Sequence, residues 1–176
     1  IAMQAIYSDD THLYLMGTNN LFKLNFKTNE LSSLVNMKEG DDFTSACRDD
    51  KGNFWIGSNF GLIHYDPVTK AQVHIPTNLF TEVNMVLCDR KGKVWIGADN
   101  MLFAWLIKEQ KFVLFGESNG AIQNEYLPNS RLVNKQGDAY IGGEGIATHR
   151  RTALSQYIRV TGTPTTGCYY QRRVGQ

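Results

Sequence analysis

The chain repeats itself, and no other feature limits its fold as tightly. The stretch Asp49-Asp50-Lys51-Gly52-Asn53-Phe54-Trp55-Ile56-Gly57 returns as Asp89-Arg90-Lys91-Gly92-Lys93-Val94-Trp95-Ile96-Gly97, and more loosely as Asn134-Lys135-Gln136-Gly137-Asp138-Ala139-Tyr140-Ile141-Gly142. A degenerate first copy runs from Asp9 through Tyr14 to Gly17. The closing glycines Gly17, Gly57, Gly97 and Gly142 are spaced 40, 40 and 45 residues apart. Self-similarity at this period means one supersecondary unit stacked on copies of itself, because a single unit cannot bury its apolar face alone.

Each copy predicts four short strands. A mostly apolar run opens it (5–8, 45–48, 85–88 and 131–133) and reads as a buried strand. Asp or Asn followed by Gly then makes a tight turn, since Asx side chains bond their own backbone and Gly tolerates positive φ. The next strand carries the aromatic-Ile-Gly core. Its aromatic packs on a neighbouring layer, and its glycine lets another part of the chain approach. Ser58-Asn59-Phe60-Gly61 turns into the alternating run Leu62-Ile63-His64-Tyr65, residues 66–70 turn again, and 71–75 form an outer strand. No segment keeps helical spacing of apolar residues over three turns.

The expectation is an all-β fold: a partial β-propeller of about four four-stranded blades over residues 1–150, with repeats at about 5–44, 45–84, 85–129 and 130–150. A sandwich or a β-solenoid is the competing architecture, but a sandwich has no reason to repeat its sequence. Trp55 and Trp95, inside the second strand of their copies, read as interblade packing and not as ligand platforms.

Composition narrows the function. The 18 basic and 17 acidic residues give a net charge of +1, so no overall field draws the chain to nucleic acid or an anionic membrane. The longest apolar run, 101–107, is far short of the roughly 20 residues that span a bilayer. The first residue, Ile1, follows no leader pattern, so a piece of a longer protein is expected. Cys47, Cys88 and Cys168 show no CxxC pair or disulfide framework, and Cys47 and Cys88 read as small buried strand residues rather than redox or metal groups. His12, His64, His74 and His149 lack zinc-site spacing and read as surface or blade-edge residues. No metal and no cofactor is expected.

The stretch 49–67, with D-x-x-G-N-x-W-I-G-x-x-x-G-L-x-x-Y-D-P, resembles the two-component regulator propeller repeat. The copy around Trp95 follows the pattern until Met101-Leu102 replaces Gly-Leu and Trp105-Leu106-Ile107 replaces Tyr-Asp-Pro. Residues 119–126 and 137–146 are similar to the family's last blade before an immunoglobulin-like module. The resemblance implies a segment of a seven-bladed sensor in a hybrid two-component histidine kinase. It implies a periplasmic location in an inner-membrane protein, no catalysis in this segment, and an oligosaccharide ligand. It also leaves 151–176 as a linker, the start of the following module or a terminal tail, within which Gln156-Tyr157-Ile158-Arg159-Val160 reads as one strand. Open blade faces would let the segment self-associate into a homo-oligomer.

Propeller ligands are expected at the loops that join the second strand to the third (18–20, 58–60, 99–101, 143–144) and one blade to the next (37–43, 77–82, 117–127). These loops are rich in amides, carboxylates and aromatics, a mixture that suits sugar hydroxyls and sugar C–H faces. Asn124, Glu125, Tyr126 and Arg131, where the 45-residue spacing adds loop, form the candidate ligand site with Asp99 and Glu144. The same turn residues also serve turns for purely conformational reasons. Two other functions fit a propeller: a protein-interaction scaffold without a small ligand, and a carbohydrate enzyme using opposed carboxylates.

Overall fold

The computed structural model describes residues 3–37, 40–116, 121 and 125–143, and the backbone of 156–160. The first repeat folds into β1 (Gln4–Ser8), β2 (His12–Met16), β3 (Asn20–Asn25) and β4 (Leu31–Asn36). The second gives β5 (Phe43–Arg48), β6 (Phe54–Ser58), β7 (Gly61–Tyr65) and β8 (Gln72–Ile75). The third gives β9 (Met85–Cys88), β10 (Lys93–Ala98), β11 (Met101–Leu106) and β12 (Lys111–Phe115). Last come β13 (Tyr126–Val133), β14 (Ala139–Gly143) and β15 (Gln156–Val160). Each repeat is its own antiparallel sheet in sequence order, three of four strands and a fourth of three among the described residues. The partial propeller is therefore present. β15 pairs with β14 from Ala139↔Val160 to Gly143↔Gln156, so the fourth sheet continues beyond residue 150.

Side chains alternate across each strand, and the alternation builds one seam on each side of a sheet. In β6, Phe54 and Ile56 face the first sheet and join Tyr14, Met16 and Leu21, while Trp55 faces the third sheet and meets Val86, Val94 and Ile96. In β10 the pattern returns: Val94 and Ile96 face back, and Trp95 faces forward onto Tyr126 and Ile141. The whole of β6 is buried, whereas β1 is half-buried to exposed, because among the described residues the first sheet has a packed apolar seam on one side, toward the second sheet, and meets the fourth through a Gln4–Asn129 side-chain hydrogen bond.

The repeat glycine has a steric cause. A Cβ on Gly57 would stand 2.6 Å from Val83 Cγ1, and one on Gly97 would stand 2.5 Å from Tyr126 Cβ. Val83 and Tyr126 occupy the same place in successive repeats, at the entry to the next inner strand. The glycine is the socket into which the next blade is keyed.

Cys47 and Cys88 form a disulfide with Cα atoms 5.7 Å apart, which corrects the reading of them as unlinked buried residues. They join the inner strands β5 and β9 of neighbouring sheets. Cys47 points forward from its sheet and Cys88 points back from the next, so both enter the same seam. No helix among the described residues is long and apolar enough to cross a membrane.

Two outcomes follow. Gly97→Ala should lower stability by about 1–3 kcal/mol, because the methyl group overpacks a closed seam; a thermal melt that leaves the midpoint unchanged would remove the socket. Replacing Cys47 and Cys88 together by Ser should cost about 2–4 kcal/mol, given their sequence separation of 41, as read by denaturant titration.

Candidate functional site

The sheets present two faces. The loop face holds the β2–β3 type and interblade loops, which are tied to one another: Phe43 N–H donates to Thr18 O, Met37 N–H to Asn19 O (2.9 Å) and Asn59 N–H to Asp42 O (3.1 Å). Asn59 is consumed in this lacing. Its Oδ1 accepts from Asp42 N–H at 3.0 Å and its Nδ2 donates to Gly40 O at 2.7 Å. Phe60 beside it is 63% exposed, a bare ring at the tip of the face.

The opposite, turn face is built on the repeated Asp. Asp49 Oδ1 accepts from the backbone N–H groups of Lys51 and Asn53, and its Oδ2 accepts from Trp55 Nε1–H at 2.9 Å. Asp89 does the same for Lys91, Lys93 and Trp95 Nε1–H, the last at 3.1 Å. One carboxylate thus closes the turn and satisfies the indole that fills the seam, whose N–H would otherwise be buried without a partner. In the first repeat Asp9 accepts from Thr11 Oγ1 and from the backbone N–H groups of Thr11 and His12, which hold its carboxyl down at about 2.

Two cavities open on the turn face. One, of about 760 Å³, lies between the inner strands of all four sheets, walled by Tyr7, Arg48, Cys47, Cys88, Arg131 and Leu132 among others. The other, of about 730 Å³, lies between the second and third sheets, over Leu106 and Ile107. Asp49, Asp50, Lys51, Asp89 and Arg90 line both, so the two adjoin there and together make up a cleft in two parts, one at the axis and one toward the rim.

The expected ligand residues separate in this frame. Tyr126 is 2% exposed and keyed against Gly97, and burial pushes its phenol up to about 12. Its side chain offers no surface on the loop face. Arg131 lies in the wall of the central cavity, where its guanidinium donates to Ser45 Oγ, to Val86 O and, at 2.9 Å, to Ala46 O. It clamps β5 and β9 at the height of the disulfide, and burial draws it down to about 10 without discharging it at neutral pH. Asp99 and Glu125 are exposed. Asp99 and Asn100 both take positive φ, 49° and 60°, in the two-residue β10–β11 turn. Asn124 and Glu144 lie outside the described residues. Trp55 and Trp95 are buried in the seams, and His64 packs on Trp55 with ring centroids 4.5 Å apart. Sequence reasoning looked to the loop face and missed the cleft on the other. The signal lay in the repeat, because the residues between the turn Asp and its Gly are Asp50 and Lys51 in one copy and Arg90 and Lys91 in the next.

The fold and both faces belong to the β-propeller class. Within it, residues 38–60 match the two component regulator propeller. No curated protein matches the chain in sequence. Among solved structures it is similar to the extracellular domain of BT4673 from B. thetaiotaomicron, described as a one component system, with a TM-score of 0.62 and 18% identity over 93% of this chain and 22% of that one. It is also similar to the extracellular domain of the hybrid two component system BT3049 of the same organism, with a TM-score of 0.63, 16% identity and coverage of 89% of this chain and 24% of that one. A virginiamycin B lyase from Staphylococcus aureus gives a TM-score of 0.69 at 9% identity, over 99% of this chain and 55% of that one. The chain spans less than a quarter of the two sensor-domain chains. At these identities the likeness shows the propeller fold.

The geometry makes Arg131 a clamp. Arg131→Ala should therefore lower stability by about 2 kcal/mol, since charge-assisted hydrogen bonds to buried acceptors are lost. Chemical denaturation reads this directly, and an unchanged midpoint would show that the guanidinium holds nothing together.

Proposed function

We propose that this chain is a ligand-sensing segment of the extracytoplasmic propeller of a two-component receptor, and that it binds an oligosaccharide rather than performing chemistry on it. The observation that carries the reading is the repeat: residues 38–60 match the two component regulator propeller, and the same unit recurs along the chain. The disulfide supports an oxidising compartment, the periplasm in a bacterium, because such bonds persist there and are reduced in the cytosol. The parent would be an inner-membrane histidine kinase. Its ligand would have to bind one arrangement of the receptor more tightly than another, and about 1–3 kcal/mol of difference is enough for a signal.

On the loop face, exposed Phe60 offers a ring for the C–H face of a sugar. Asp99 and Glu125 offer acceptors for its hydroxyls, and the sequence adds the amide of Asn124 and the carboxylate of Glu144, which lie outside the described residues. A neutral oligosaccharide matches this set. Phe60→Ala and the pair Asp99→Ala/Glu125→Ala should each weaken binding of a glycan identified on an array of neutral oligosaccharides by roughly tenfold, as removal of one stacking or bidentate contact does elsewhere. Calorimetry checks this. Affinity untouched by all three changes would take the site off the loop face.

A further inference from the structure

The two faces differ in charge. On the loop face the described charged residues, Asp41, Asp42, Glu82, Asp99 and Glu125, are all acidic. The cleft on the turn face is lined by seven cations and four carboxylates. We propose that this cleft is a second binding site and that its ligand is an acidic oligosaccharide, one that bears carboxylate or sulfate groups. The proposal goes beyond the sensing reading and does not depend on it.

What matters is which of these charges are free to act. Two of the carboxylates, Asp49 and Asp89, are turned inward onto backbone and indole N–H groups, so their acceptor lone pairs are already used. Arg48 pairs with Asp9 at 3.5 Å, Lys91 with Asp138 at 2.8 Å, and Lys93 stands 4.0 Å from Asp89. Lys51, Arg90 and Lys108 are exposed, and their side chains have no carboxylate partner among the described residues. Arg131 adds a fourth cation at the axis, and its partners among the described residues are neutral oxygens. Its positive charge is therefore not cancelled locally.

The cations without a carboxylate partner among the described residues are spread along the cleft, from the clamping Arg131 at the axis, through the free Lys51 and Arg90 in the part shared by both cavities, to Lys108 at the rim. Such spacing suits an extended ligand with more than one anionic group better than a single small ion. Arg90 can hold a carboxylate or sulfate with two parallel N–H donors, and the lysines act as point charges. The remaining groups suit the sugar part. Asp50 and Glu109 are acceptors for hydroxyls, Leu106 and Ile107 give an apolar floor, and Tyr7, 39% exposed in the cavity wall, presents a ring. An acidic sugar is in addition repelled from the opposite face, so charge alone directs it to one end of the propeller.

Calorimetric titration of the full chain with digalacturonate, with sulfated lactose and with plain lactose tests this. At least one acidic disaccharide should bind, more weakly as salt is raised, and plain lactose should not bind in this cleft. Which of the two acids binds identifies the anionic group. The triple variant Lys51→Gln/Arg90→Gln/Lys108→Gln changes exposed side chains only and should keep the wild-type melting midpoint while losing roughly tenfold or more in affinity for the acidic probe. Lys23→Gln/Lys27→Gln/Lys70→Gln removes the same charge outside the cleft and should leave affinity within about twofold. Equal losses in the two triple variants, or no binding of either acid, would overturn the proposal. Binding that is lost in the Asp99→Ala/Glu125→Ala pair and kept in the cleft variant would also overturn it, while leaving the loop-face reading intact.

Discussion

Everything in this structure depends on one sheet lying flat against the next. A four-stranded sheet of this size has two faces and no interior, so its apolar residues are hidden only when another sheet covers them. The seam is made by a Trp that projects forward and by a Gly that leaves room for the residue projecting back. Trp95 against Tyr126, with Gly97 between them, is the clearest case. The turn Asp belongs to the same unit, because it accepts the indole N–H and so permits a polar aromatic in a dry interface. Asp, Trp and Gly are thus three parts of one packing device, spaced by the hairpin that carries them.

That device explains why so much of the fold was legible in the sequence. Its parts are local, they fall within nine residues, and they recur, so strand order, sheet identity and the seam role of Trp55 and Trp95 could all be read from the chain. What was hidden is long-range. Arg131 reaches Ser45, 86 residues away, and nothing near Arg131 in sequence announces that contact. Tyr126 sat in a loop-rich stretch and resembled a ligand residue, yet it is the equivalent of Val83, the key of the previous socket. The disulfide could have been found by phase. Cys47 corresponds to Leu87 in the next copy and Cys88 lies one residue further, so the two cysteines project from opposite sides of their sheets and meet in the shared seam.

The candidate sites were harder to read for a related reason. Repeats specify seams, whereas binding is done by the positions at which the copies differ. Between Asp and Gly the second copy has Asp50-Lys51 and the third has Arg90-Lys91, and only in three dimensions do these residues of different copies line one cleft. On the loop face the same holds for Asn59 and Phe60. One is tied into the backbone of the neighbouring loop and the other is bare, although both are common turn-tip residues.

Stacking also grades stability along the chain. In an array of nearest-neighbour units, a sheet with two seams is held twice and a terminal sheet once. The second and third sheets have both seams, and they also carry the disulfide and the Arg131 clamp at their inner strands. The first sheet has one seam and leaves Met3, Tyr7, Phe26 and Leu31 between 39% and 48% exposed. Among the described residues, local opening therefore costs less there than between the second and third sheets. The cleft over Leu106 and the exposed Phe60 both sit on that most heavily fastened pair, where pocket and loop geometry are held before any ligand arrives, so little ordering entropy is left for binding to overcome.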